Sequence, residues 1–203
     1  MARHQKKAAD RHATLVFTDE SGFLLLPLVR RTLAPRGHAA PLRHRARQRD
    51  KVSVAAALTL SPRRGHVGLH YQTYPNGYVN AEAYARFLRG LLHRKAGGGN
   101  PVVLVHDRGS MHRGEPMREL ERDFPSPRLD VNELPPYAPE LNPVEPLWNF
   151  AKDKELSNFV PHDVAEATAG VTGLMERIRH DQLRLRSFYR ATPLPWNLLT
   201  VFF

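Results

Sequence analysis

The chain has 203 residues with 30 Lys+Arg against 20 Asp+Glu, a formal charge of +10, so its length and charge predict one compact domain that meets a polyanion. Without cysteine it has no disulfide framework, no thiolate zinc site and no thiol nucleophile. At 41% hydrophobic and 25% charged residues it is not a disordered basic tail, and its longest apolar stretches, residues 52–60 and 198–203, fall far short of the roughly 18 residues of a membrane span. The basic start, residues 1–11, is followed by an apolar stretch that Asp19 and Glu20 interrupt at once, which is no secretory signal. The expectation is a cytoplasmic protein without a membrane partner.

In chain order, residues 1–12 carry Arg3, Lys6, Lys7 and Arg11 with little to bury and read as a leader or as the end of something upstream. Residues 14–18 (TLVFT) are β-branched and aromatic and predict a strand that Asp19 ends, with Ser21 and Gly22 as a hairpin bend into a second strand over residues 23–28. Residues 30–51 hold eight Arg or Lys and only one acid, Asp50, with Pro35, Gly37 and Pro41 breaking regular structure, so a basic loop is expected. Residues 52–60 and 66–74, joined across Ser61, Pro62 and Gly65, predict a β-hairpin whose first strand is buried on both faces.

From Asn80 the period becomes helical, with Tyr84, Phe87, Leu88, Leu91 and Leu92 on one face, Asn80 as N-cap and residues 97–99 (GGG) as the stop. Residues 101–105 (PVVLV) predict a central parallel strand running into His106 and Asp107. A short helix over residues 116–124 and a strand over 129–134 follow, then a Pro-rich stretch, a helix bearing Leu147, Trp148 and Ala151, and amphipathic helix over residues 163–189. Strands first and alternating helices and strands afterwards argue for an α/β fold with a mixed sheet covered by helices.

Three carboxylates stand where chemistry would use them. Asp19 and Asp107 end strands, and if those strands are parallel neighbours both emerge at the ligand-binding edge of the sheet. Glu145, at the start of a helix in LNPVEPLW, is expected as N-cap or just outside the first turn because Pro146 disfavours helical angles before it. Three oxygen donors from separate elements, with no Cys and no close His pair, suit Mg²⁺ or Mn²⁺, and two such ions clamp a phosphodiester in metal-dependent cutting or joining of nucleic acid. Taken singly, each residue also has a plainer reading. An Asp after a strand shapes turns, a Glu at a helix start meets its positive end, and Trp148 fills core. His106 and His112 flank Asp107 as packing residues or as supports.

The segments LVFTDESGF (residues 15–23), RRTLAPRG (30–37), VVLVHDRGSMHRG (102–114) and ELPPYAPELNPVEPLW (133–148) resemble the catalytic domain of IS630-type transposases, in the Tc1/mariner superfamily of DDE enzymes. The resemblance spans roughly residues 13–190 and is most specific in the last segment. It implies an RNase H-like mixed β-sheet flanked by α-helices, with residues 13–160 as the catalytic domain and 161–203 as a helical C-terminal extension packed on it. It also implies two divalent ions, Mg²⁺ or Mn²⁺, on Asp19, Asp107 and Glu145. The 37 residues between Asp107 and Glu145 exceed the usual family spacing, and the surplus fits in the loop near residues 124–128. Arg108 stands where the family often has Asn.

The implied function is hydrolysis of phosphodiesters at transposon ends and transfer of the resulting 3′-hydroxyl to target DNA, in a prokaryotic cytoplasm. Arg43, Arg45, Arg47, Arg49 and Lys152 are the candidate phosphate contacts, by charge and position. Double-stranded DNA and a second copy of the chain are the expected partners. So is a helix-turn-helix region, which family members carry upstream and which another reading frame would supply. Two alternatives stay open: another RNase H-like nuclease, or a repurposed remnant that binds DNA non-specifically without cutting it.

Overall fold

The computed structural model describes residues 8, 11–25, 35–38, 50–61, 66–96 and 100–194. Five strands form one sheet in the order β3-β2-β1-β4-β5, with β1 Thr14–Leu24, β2 Lys51–Ser61, β3 His66–Pro75, β4 Val102–His106 and β5 Leu129–Glu133. β1, β2 and β3 pair antiparallel, whereas β1–β4 and β4–β5 pair parallel. Every residue of β2 from Val52 to Leu60 is buried, as is all of β4. Central strands covered on both faces need such continuous apolar runs.

Helices cover both faces. α1 Ala81–Ala96 and α2 Glu115–Asp123 lie on one face, where Tyr84, Leu88, Leu92 and Leu120 pack with Val16, Ala57 and Leu104. α3 Val144–Phe150, α4 Val164–His180 and α5 Gln182–Arg190 lie on the other, where Leu147, Leu174 and Phe188 pack with Leu15, Phe17 and Leu58. Alternation along β1 sends Val16 to the first face and Leu15 and Phe17 to the second, as a period of two requires. Among the described residues no helix is long and apolar enough to cross a membrane.

Local signals account for most boundaries. Asn80 Oδ1 accepts from the Ala83 N–H at 2.9 Å and caps α1, and Asp163 Oδ1 accepts from the Glu166 N–H at 2.8 Å and caps α4. The helix expected over residues 163–189 is divided at Asp181, whose extended backbone ends α4 and whose carboxylate accepts from the Arg184 N–H at 2.9 Å to start α5. The Gly-rich stop after α1, residues 97–99, lies outside the described residues. So does the basic loop except for residues 35–38 and 50. Ala8, within the expected leader, is buried and its carbonyl accepts from the Ala13 N–H at 2.8 Å.

One expectation fails at β1. No bend occurs at Ser21 and Gly22: the strand continues to Leu24, and Ser21 and Gly22 pair with Val54 and Ser53 of β2. Turn propensity yields here to ten consecutive ladder partners on β2, which hold the backbone extended. Asp19 is therefore in the middle of a strand, not at its end.

Candidate active site

Asp19 nonetheless stands at an edge, because its two neighbouring strands end differently. The β1–β4 ladder runs from Thr14↔Val102 to Phe17↔Val105 and stops, while β1 continues on β2 alone. Continuing the register by two residues sets Asp19 level with Asp107, just past the C-terminal end of β4. This is the side of a parallel pair where loops build ligand sites. The chain after β5 then crosses over this edge: the Leu134 N–H donates to the His106 carbonyl at 2.7 Å, and the Pro-rich stretch leads to α3.

Asn142 fixes that crossing. Buried at 3% exposure, it donates from Nδ2 to the Thr18 carbonyl at 3.2 Å and accepts at Oδ1 from the Val144 N–H at 3.1 Å. One side chain thus ties the start of α3 to β1 immediately before Asp19. Glu145 lies inside the first turn of α3, with Pro143 as N-cap, rather than at or before the cap. Pro146 is tolerated in that turn because the first N–H groups of a helix have no intrahelical acceptor to lose.

Asp19, Asp107 and Glu145 consequently line one cleft of about 410 Å³, roofed by the Pro135, Pro136 and Tyr137 loop. The Trp148 indole donates to Asp19 Oδ2 at 2.9 Å. Asp107 Oδ1 accepts from the Gly109 N–H at 2.8 Å and lies 2.7 Å from His112 Nδ1. Among the described residues no three acidic or histidine side chains draw close enough to enclose a metal ion. The acids share a cleft, but the carboxylate of Asp107 is bound within its own loop.

The electrostatics of the cleft are those of crowded like charges. Burial, then the charges of Glu145 and Glu20, push the Asp19 carboxyl up to about 8. Glu145 is also raised, by burial first and further by Asp107, against the opposing charge of Lys152. Lys152 sits on the π-helical turn Ala151–Glu155 that continues α3, and donates from Nζ to Ser21 Oγ at 2.6 Å. Its charge acts on Glu145, and it is the one of the five candidate phosphate contacts within the described residues; Arg43, Arg45, Arg47 and Arg49 lie outside them.

Behind Asp107 is a buried polar stack. His112 Nε2 is 3.3 Å from both carboxylate oxygens of Glu20, and its ring lies on His106 at 4.5 Å with 12° between planes. Tyr84 bonds Thr18 Oγ1 at 2.6 Å and His106 Nδ1 at 3.0 Å. Burial pushes His106 down to about 3, with the charge of His112 as a second cause. Burial alone would lower His112 too, but its bonds to Glu20 and Asp107 and their charges raise it instead. Arg108 turns toward β5, where its Nε meets Glu133 Oε2 at 3.1 Å.

Sequence reasoning passed over Glu20 and Asn142 and read Trp148 as core. Trp148 is buried as core residues are, and it is a donor to Asp19 as well. The only sequence signal for Glu20 was its place beside Asp19 in a strand, and for Asn142 its place before a proline.

A mixed five-stranded sheet covered by helices on both faces, with Asp19 in mid-β1 level with Asp107 just past β4, has the RNase H-like architecture. The sequence profile of the DDE superfamily endonucleases matches residues 14–165, and the chain belongs to that family. An uncharacterized protein of Sinorhizobium fredii, y4pE/y4sA, is 31% identical over 86 residues, 42% of this chain and 58% of that protein. Among solved structures, a pre-cleavage Mos1 transpososome superposes with a TM-score of 0.66 at 17% identity, over 99% of this chain and 57% of that one. The catalytic domain of Mos1 mariner transposase superposes with 0.56 at 16% identity, over 94% and 79%. At such identities the likeness is one of fold. The chain spans a little over half the length of the curated relative and of the transpososome chain.

Proposed function

We propose that the chain is the catalytic domain of an IS630-type transposase of the Tc1/mariner superfamily, which cuts DNA strands at transposon ends and joins the freed 3′-hydroxyl to target DNA. The observation that carries this reading is the cleft that gathers Asp19, Asp107 and Glu145 from three elements of a DDE endonuclease fold. Residues 13–160 form the catalytic unit in this reading, with the helices beyond 160 packed on it. It works on double-stranded DNA in a prokaryotic cytoplasm, as a dimer and with a helix-turn-helix region for end recognition.

The residues fit divalent cations. All three donors are hard oxygens, the ligand type that suits Mg²⁺ or Mn²⁺, and since the charges of Glu145 and Glu20 add to burial in raising the Asp19 carboxyl, a cation in the cleft would offset their repulsion. Asp19, Asp107 and Glu145 would hold the ions, two in number. When bound, they supply activation of the attacking oxygen and stabilisation of the leaving oxygen of a phosphodiester. The chain's own residues do the rest. Trp148 aims Asp19, Asn142 holds α3 and hence Glu145 over the sheet edge, and Lys152 neutralises a phosphate at the border of the cleft. Water and then a DNA hydroxyl are the nucleophiles, so no side chain is covalently modified.

The test is strand cleavage on DNA bearing the element's ends, with any upstream recognition region supplied. Mg²⁺ or Mn²⁺ supports cutting by the parent chain, while Asp107→Asn keeps its DNA affinity and loses at least about a hundredfold in rate, the loss expected when charge stabilisation in the transition state is removed. Equal rates for the two proteins would remove Asp107 from the site. Absence of metal-dependent cutting from the parent would instead favour a protein that binds DNA without catalysis.

A further inference from the structure

At the open edge of the sheet a second pocket, of about 290 Å³, lies where α1 and α4 flank β3. Its charged lining is entirely basic: Arg86 and Arg94 from α1 and Arg179 from α4, with His70 of β3 beside them. Arg179 is partly engaged, donating to Glu176 at 2.9 Å. Arg86 and Arg94 are exposed and have no acidic partner among the described residues. They stand eight residues apart with Gly90 midway, so all three share one helix face, about 12 Å from first to last at 1.5 Å per residue. A Cβ built on Gly90 would meet no atom of the described residues within 4 Å, so among them the helix surface between the arginines is uncovered. The rings of Tyr71, Tyr74 and Phe87 with Leu91 form the apolar wall, and the Tyr71 hydroxyl donates to Glu176 Oε1 at 2.6 Å.

The sheet register sets two residues of the pocket, Tyr71 and Tyr74, in the same cross-strand rows as Asp19 and Gly22 of β1. Asp19 pairs with Ala56 of β2, and Ala56 pairs with Tyr71 of β3; likewise Gly22, Ser53 and Tyr74 share a row. Two strand spacings separate those backbones, about 10 Å, the rise of roughly three nucleotides along one strand of B-DNA. Guanidinium groups without an acidic partner and aromatic rings lining one concave site of this size are the arrangement that holds a nucleotide by its phosphate and its flat base.

We propose that this edge pocket is a DNA-backbone site. A phosphate of the bound strand sits between Arg86 and Arg94, and its sugar and base lie against Tyr71, Tyr74 and Phe87. The proposal rests on the reading of the acid cleft as a DNA-cutting site, but its test does not depend on cutting. An acidic peptide added along the β3 edge is the competing occupant.

The probe is a fluorescein-labelled DNA duplex with a short single-stranded extension, titrated with the full chain in EDTA and followed by anisotropy across a salt series. Arg86→Ala with Arg94→Ala should weaken binding about tenfold and make the slope of log affinity against log salt shallower by about 1 to 2. Gly90→Glu, which sets an acid between the arginines without a steric clash, should weaken it similarly. Arg89→Ala with Arg118→Ala removes the same charge from exposed residues that pair with Asp123 and Glu115; this control should cost less than about threefold. Thermal melts identify any variant that fails to fold, and Gly90→Glu then decides. Equal losses in the site pair and the control, or unchanged affinity in the site pair and in Gly90→Glu, would overturn the proposal. A parent chain that binds the probe through Arg86 and Arg94 but never cuts DNA would overturn the transposase reading and leave this site standing.

Discussion

Trp148 donates its indole N–H to Asp19 across 129 positions of sequence. Because Glu145 lies three residues before Trp148 on α3, one helix both contributes an acid to the cleft and holds another in place. Trp148→Phe keeps an aromatic ring against Phe23, which meets Trp148 edge-on at 6.0 Å, but leaves Asp19 without this donor. The expected loss of stability is about 1–3 kcal/mol in urea unfolding. An unchanged midpoint would show that water replaces the indole at no cost.

Asp19 also sets a pH dependence. Its carboxyl, raised by burial and then by Glu145 and Glu20 from 3.8 to about 8, keeps in the folded chain a proton that the unfolded chain has released. At this site the folded state therefore binds more protons between those values, and the contribution of Asp19 to the stability of the metal-free chain falls as pH rises from about 4 to about 8. Asp19→Asn should make the metal-free chain more stable at pH 8, on the order of 1–3 kcal/mol after side-chain relaxation, while abolishing cleavage. A weaker dependence remains in the variant: His106, lowered to about 3, adds stability as pH rises toward its unfolded value, whereas the raised His112 loses its contribution as pH rises through its folded one. Urea midpoints between pH 4 and pH 8 in EDTA check this, and parallel curves for parent and variant would exclude Asp19 as the source.

Tyr84→Phe removes a fully buried hydroxyl that bonds both Thr18 and His106. Two buried polar groups then lose a partner, which costs about 1–3 kcal/mol. Thr18→Val in the same chain should cost less than in the parent, since its partner is already gone. Strict additivity of the two losses would mean that the hydroxyls are not coupled.

For the basic loop, replacing Arg43, Arg45, Arg47 and Arg49 by Ala should flatten the salt dependence of DNA binding, lowering the slope of log affinity against log salt by up to about 3.6. Affinity should fall evenly across DNA sequences, because phosphate contacts carry no base information. A slope equal to that of the parent would place the DNA elsewhere on the chain.

Much of the architecture was legible in the amino-acid order because it is locally encoded. The unbroken apolar runs of β2 and β4, the Asn80 cap and the helical period after it, and the Pro-rich approach to α3 each depend on neighbours a few residues away. The strand end expected at Asp19 and the bend at Ser21 failed for the opposite reason. Where β1 stops pairing with β4 yet continues on β2 is decided by partners about 35 and 85 positions away, which no local propensity reports.

The candidate site divides along the same line. The sequence by itself determined which acids were available, since a chemically specific residue pattern survives without coordinates, and it determined the net charge of +10. Only the tertiary structure decided that Asn142 ties α3 to β1, that Trp148 reaches Asp19, that His112 bridges Glu20 and Asp107, and that Arg108, on the wall of the cleft, pairs with Glu133. Each is a hydrogen bond or ion pair between elements that the sheet and its flanking helices bring together. Such contacts exist only once the apolar faces have packed, because the short range of a hydrogen bond leaves no trace in sequence spacing.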